Sequence, residues 1–177
     1  LKDIGKIVVD PGELRSGTTY VAATRRLAHF LRARHDAVCL ARGLRAWQTP
    51  DVVTWEELLR RQFQLDRAAG RTTARWLDAS HGLLAWEQIV RRDVELRPVL
   101  LPAGLGAVAQ RSWDLLHAYR IPPRVLAEDA SPEVQSFARW VDEFGRWLEQ
   151  GNWLDPAQAS LTVGPLAVDT PLEFVGF

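Results

Sequence analysis

The sequence predicts a mostly helical α/β fold in which a small parallel sheet is interrupted by a large helical insertion. Three observations carry this. Short β-like runs stand at Thr18–Ala23, Asp51–Val53 and Leu172–Phe177, rich in β-branched and aromatic residues. About 110 residues of helical periodicity separate the second run from the third. Apolar residues make up 47% of the 177, enough for a core and too many for global disorder. The first and last runs can be sheet neighbours only if the insertion folds as its own lobe. The expected division is residues 1–54 plus 165–177 as a partial α/β core, with 55–164 as the helical insertion.

The first β-like run ends at Thr24, a good helix cap. Beyond it Leu27, Phe30, Leu31 and Val38 fall on one helical face, with Arg25, His29, Arg32 and Asp36 opposite. Gly43 is the expected stop, and the turn-prone Thr49-Pro50 introduces the second run. Thr54-Trp55-Glu56-Glu57 has the capping-box form and opens a helix through Leu58, Leu59 and Phe63 that fades towards Gly70. Asp78 caps the next helix, whose stripe is Leu83, Leu84, Ile89 and Val90, with Trp86 at its edge. A further helix carries Leu105, Val108, Ala109, Ser112, Leu116 and Tyr119 and stops at Ile121-Pro122-Pro123.

Ser131-Pro132-Glu133 is the clearest start in the chain, a serine cap followed by proline and an acid in the first turn. Val134, Phe137, Val141, Phe144 and Leu148 recur behind it, widened by Trp140 and Trp147. Arg139 with Glu143 and Asp142 with Arg146 are expected i,i+4 pairs. Gly151 ends this helix and Asp155-Pro156 begins a short last one. The final apolar run, Leu172–Phe177, reads as a strand cut at an artificial boundary, because a natural edge is seldom left so exposed.

Composition narrows the function classes. Basic and acidic residues balance at 22 each, so net charge points to no partner. No apolar run reaches the roughly 18–20 residues that span a membrane, and the start has no leader-like apolar stretch. One cysteine, Cys39, allows no internal disulfide and suits a reducing compartment, so the expected location is cytoplasmic, with no membrane partner. Twenty of the 22 basic residues are arginine, and from Arg15 to Arg45 seven arginines face one acid, Asp36.

Gly12 and Gly17, followed by Thr18 and Thr19, have the spacing of the phosphate loop GxxxxGK[ST] behind the apolar Ile7-Val8-Val9. Thr18 replaces the lysine that reaches the phosphates, so this degenerate loop is expected to bind no nucleotide, and no cofactor is expected. Arg25, Arg26, Arg32, Arg34, Arg42 and Arg45 are candidate phosphate contacts with Trp47 as a stacking platform, against the alternative of a solvated helix face. His35 and Cys39 lie four apart, but two ligands do not make a metal site. Lysine occurs only at Lys2 and Lys6, so the acid-and-lysine pattern of metal-dependent nucleases is absent and this chain is not expected to be an enzyme.

The run Tyr20-Val21-Ala22-Ala23-Thr24-Arg25-Arg26-Leu27-Ala28-His29-Phe30-Leu31-Arg32 resembles the N-terminal segment of the AddB/RecB-like bacterial proteins called probable DNA repair proteins, which carry a PD-(D/E)XK nuclease at their far C-terminus. Trp47-Gln48-Thr49-Pro50-Asp51 with Trp55, Leu84-Ala85-Trp86-Glu87, Gly151-Asn152-Trp153-Leu154-Asp155 and Phe174-Val175-Gly176-Phe177 follow in the same order. The resemblance implies a degenerate superfamily-1-like helicase domain in which Thr24-Arg25-Arg26 matches a segment that contacts single-stranded DNA. It also implies that the helicase acids and the nuclease lie outside the chain. The expected function is a non-catalytic DNA-binding scaffold of a repair or recombination helicase–nuclease. The rivals are a docking domain for a helicase or nuclease subunit through exposed tryptophans, and a nucleotide-binding remnant.

Overall fold

The structure, a computed structural model, describes residues 14–96, 104–128, 131–163, 166 and 170–177. Gly12 and the Ile7–Val9 run lie outside the described residues. The elements run β1 (Thr19–Ala22), α1 (Arg25–Ala41), β2 (Asp51–Thr54), α2 (Trp55–Ala68), β3 (Arg75–Trp76), α3 (Ala79–Leu96), α4 (Leu105–Ala118), a 3-10 segment (Pro123–Glu128), α5 (Pro132–Gly151), β4 (Trp153–Leu154), α6 (Pro156–Thr162) and β5 (Leu172–Val175). They form two compact units, Leu1–Asp66 with Val163–Phe177, and Arg67–Thr162. Helix α2 thus falls almost wholly in the sheet unit, twelve residues past the expected division, because Leu58 packs on the sheet.

In the sheet unit three parallel strands stand in the order β2-β1-β5, with Val21 opposite both Val53 and Phe174. Side chains alternate faces along each strand. Tyr20, Ala22, Val52 and Val175 pack against Ala28 and Leu31 of α1. Val21 and Val53 pack against Leu58 of α2. A sheet covered on both faces needs apolar residues at consecutive positions, which is why Tyr20, Val21 and Ala22 are all buried. The caps act as the sequence predicts. Thr24 Oγ1 accepts from Leu27 N at 3.1 Å, while Thr54 N donates to Glu57 Oε2 at 2.7 Å and Glu57 N to Thr54 Oγ1 at 3.3 Å.

The helical unit is built on aromatic stacking. Trp86 is fully buried, its ring 4.2 Å from Phe144 and 6.0 Å from Trp113. The expectation that Trp86 sits at the edge of the α3 stripe is wrong: α3 packs on both α4 and α5, which widens its buried sector to include that ring. The same geometry leaves Leu84, Val108 and Tyr119 outside, each more than half exposed, although periodicity counted them inward. Helix α5 starts on its Ser131 cap, whose Oγ accepts from Val134 N. Its expected i,i+4 pairs do not form. Arg139 turns instead to Asp93 on α3 at 3.2 Å, Glu143 faces Arg92, and Arg146 donates to the Asp142 carbonyl. Two-residue strands β3 and β4 pair in parallel, a feature too short to leave a periodic signal.

Candidate nucleic-acid interface

Parallel strands end together, and the helices that follow them start together. The β1–α1 and β2–α2 junctions therefore place Thr24 and Thr54, the caps of two helices, at the carboxyl edge of the sheet. The chain leaves β1 for β2 on one side and returns in β5 on the other. The end of β1 is therefore a topological switch point, the position where open α/β sheets bind ligands.

Arg25 and Arg26 occupy the first turn of α1, a turn without any acid. The partial positive charge of a helix N-terminus disfavours cations by about 0.3–1 kcal/mol each, so two arginines here cost stability and enrich the edge in positive charge. Arg25 Nη2 lies 3.3 Å from Glu56 Oε2, with the two side chains 74% and 48% exposed. Such a pair contributes under about 1 kcal/mol and yields readily to a phosphate. Arg26 is exposed and makes no ion pair among the described residues.

Beside these cations lies an aromatic shelf. The Trp55 ring is 6.3 Å from Phe174, which meets Phe177 edge-on at 5.6 Å. All three are exposed, Phe177 by 72%. Gly176 turns the chain between the two phenylalanines at φ +81°, and a Cβ there would stand 2.6 Å from Leu27. Periodicity alone missed this shelf. The usable signal was the capping box, which puts Trp55 at the first position of a helix that must start at the same edge as α1.

The remaining candidates are not gathered with them. Arg32 is half-buried, and its Nη2 donates to the Val52 carbonyl of edge strand β2. It lines a recess with Glu57, Arg60 and Arg61, two arginines that the sequence reading did not anticipate. Arg61 holds Asp51 bidentately at 2.8 and 2.9 Å, and those bonds, helped by one from Thr19, hold the Asp51 carboxyl below its usual range. Arg34 is exposed two and a half turns along α1 from Arg25, on the opposite side of the helix. Arg42 caps the far end of α1 and Arg45 follows it, about 25 Å from Arg25 at 1.5 Å per residue. Trp47 is no free platform, since its Nε1 donates to Asp36 Oδ1 at 2.7 Å and the ring is half-buried.

The degenerate loop stands at the opposite edge. Gly17, at φ +77°, leads through Thr18 straight into β1, whereas a phosphate loop leaves a strand and opens a helix. Thr19 Oγ1 is engaged by Asp51 and Thr170 at 2.7 and 3.0 Å. The nucleotide-remnant reading loses its helix N-terminus. His35 Nε2 contacts Cys39 Sγ at 3.5 Å, and no group of three metal-ligating side chains forms among the described residues.

No known family is shown. Neither the protein-family models nor the curated proteins searched gave a match to this chain. Among the described residues no helix is long and apolar enough to cross a membrane.

Proposed function

We propose that the chain is a non-catalytic DNA-binding scaffold of a cytoplasmic repair or recombination helicase–nuclease, with its DNA contact at the carboxyl edge of the sheet. The observation that carries this reading is Arg25 and Arg26 in the first turn of α1, at the switch point and beside Thr24. There the helix dipole, the free backbone N–H groups and two guanidinium groups all favour an anion. Trp55, Phe174 and Phe177 offer ring faces to unpaired bases, which favours a single strand over an intact duplex. Phosphate contacts of this kind carry no base specificity. The sequence resemblance to AddB/RecB-like proteins supports the biological setting, and nuclease chemistry would then belong to other parts of the parent protein.

Titration of the chain with fluorescent single-stranded and duplex DNA at about 50 and 200 mM salt tests this. Two to three phosphate contacts predict a loss of roughly 7- to 20-fold in single-strand affinity between those salts. Arg25→Ala/Arg26→Ala is expected to abolish the binding while leaving the far-UV circular dichroism unchanged. Binding that ignores salt, or survives the double substitution, contradicts the reading.

For the docking rival, Trp55 is the one exposed tryptophan of the expected insertion. The tryptophans of the helical unit are buried (Trp86, Trp113, Trp140) or partly so (Trp76, Trp147, Trp153), and all of them but Trp76 pack in its core.

A further inference from the structure

The helical unit has one face that its own core does not use. Val108, Ser112, Leu115 and Tyr119 follow each other at intervals of four, three and four along α4 and its C-cap. That is the d-a-d-a spacing of a coiled-coil seam. Val108, Leu115 and Tyr119 are 59%, 50% and 73% exposed, and Ile121 and Val125 extend the apolar patch beyond the helix. The buried residues of α4, Gly106, Ala109, Trp113 and Leu116, centre about a third of a turn round the helix from the seam, so the seam is not a misread core face. A groove of about 560 Å³ runs beside it, walled by Leu105, Val108 and Ser112 of α4 and by Val134, Phe137 and Trp140 of α5.

Charge decides the occupant. Arg111 stands at the g position flanking the seam, and Arg120 and Arg124 flank its far end. All three are exposed and make no ion pair among the described residues. We infer that this face docks an acidic amphipathic helix of a partner protein, with apolar residues in the seam and carboxylates against Arg111, Arg120 and Arg124. A second copy of the chain is disfavoured, because self-pairing would bring together two faces that carry the same arginine-rich flanks. A seam of three turns buries less than a standard interface of about 1,600 Å², so the contact should be weak and reversible.

The probe is a labelled 21-residue peptide with leucine at a and d and glutamate at e and g, compared with the same peptide carrying lysine at e and g. Fluorescence anisotropy with the full chain is expected to give a Kd of tens of micromolar for the acidic peptide, at least about tenfold tighter than for the basic one. Leu115→Asp/Tyr119→Asp should abolish binding. Arg111→Glu/Arg120→Glu/Arg124→Glu, a surface change that leaves the core alone, should reverse the preference between the two peptides. Equal binding of both peptides, or no binding of either at about 200 µM, overturns the inference. So does sedimentation showing a dimer that Leu115→Asp dissolves, which would assign the seam to a second copy. Oligo(dT) binding lost in the triple arginine variant, with no peptide binding, would assign it to nucleic acid.

Discussion

Arg25 sits between two uses, a weak pair with Glu56 and a phosphate. Glu56 competes with DNA both by holding the guanidinium and by placing a negative charge on the same edge. Glu56→Gln is therefore expected to tighten single-strand binding about two- to fivefold at low salt, with the gain fading as salt screens it. An unchanged affinity would mean that Arg25 does not leave Glu56 to bind. Asp155 gives a residue-scale prediction in the helical unit. Burial raises its pKa above the usual value near 3.8, against the opposing bonds from Ala157 N and Trp113 Nε1. The folded state therefore holds its proton more tightly than the unfolded chain does. The ionised group subtracts stability at neutral pH, and that loss is recovered as pH falls through the raised value. Asp155→Asn keeps the acceptor for Ala157 N without the charge, so thermal melting at pH 7 should rise and depend less on pH. Asp155→Ala removes the cap and leaves Trp113 Nε1 unpaired, a cost of about 1–2 kcal/mol. Asp51 behaves oppositely: its lowered pKa contributes stability above the usual carboxylate range that is lost as pH falls through the folded value.

At the scale of elements, the capping of helix starts was legible in the sequence, whereas the i,i+4 ion pairs of α5 were not. Thr24, Thr54, Asp78 and Ser131 all accept from backbone N–H groups three residues on, as their positions imply. Thr24→Ala should cost about 1 kcal/mol through the lost cap and weaken DNA binding with it. What depends on a distant partner was not legible. Trp86 is central because α5 brings Phe144 to it, and Arg139 pairs with Asp93 because α3 is nearer than the next turn of its own helix. The candidate site divides in the same way. Thr24, Arg25 and Arg26 are contiguous, so one strand–helix junction places them together. Arg42, Arg45 and Trp47 are near in sequence only, and α1 carries them to its other end. Trp55, Phe174 and Phe177 come from distant segments joined by the parallel register of β1, β2 and β5.

Across the whole molecule, β5 reaches β1 only after the chain has passed through the helical unit. If that unit unfolds, the link becomes a flexible loop of roughly 100 residues, whose closure costs on the order of 4 kcal/mol. Trp86→Ala removes the buried centre of the helical core at about 3–5 kcal/mol. It should therefore lower the melting of both units in one transition, seen together in near-UV and far-UV circular dichroism. Separate transitions would show that β5 holds to β1 without help from the insertion.

The proposed interface lies at the carboxyl end of β1 and not along the arginine-rich segment as a whole. The direct measurement is single-strand binding by the unaltered chain, Arg25→Ala/Arg26→Ala and Arg42→Ala/Arg45→Ala at about 50 mM salt. Both doubles remove two exposed arginines, so general loss of positive charge affects them alike. Loss of binding in the first double, with the second within about twofold of the unaltered chain, is the predicted result. Equal losses, or a larger loss in Arg42→Ala/Arg45→Ala, would contradict it.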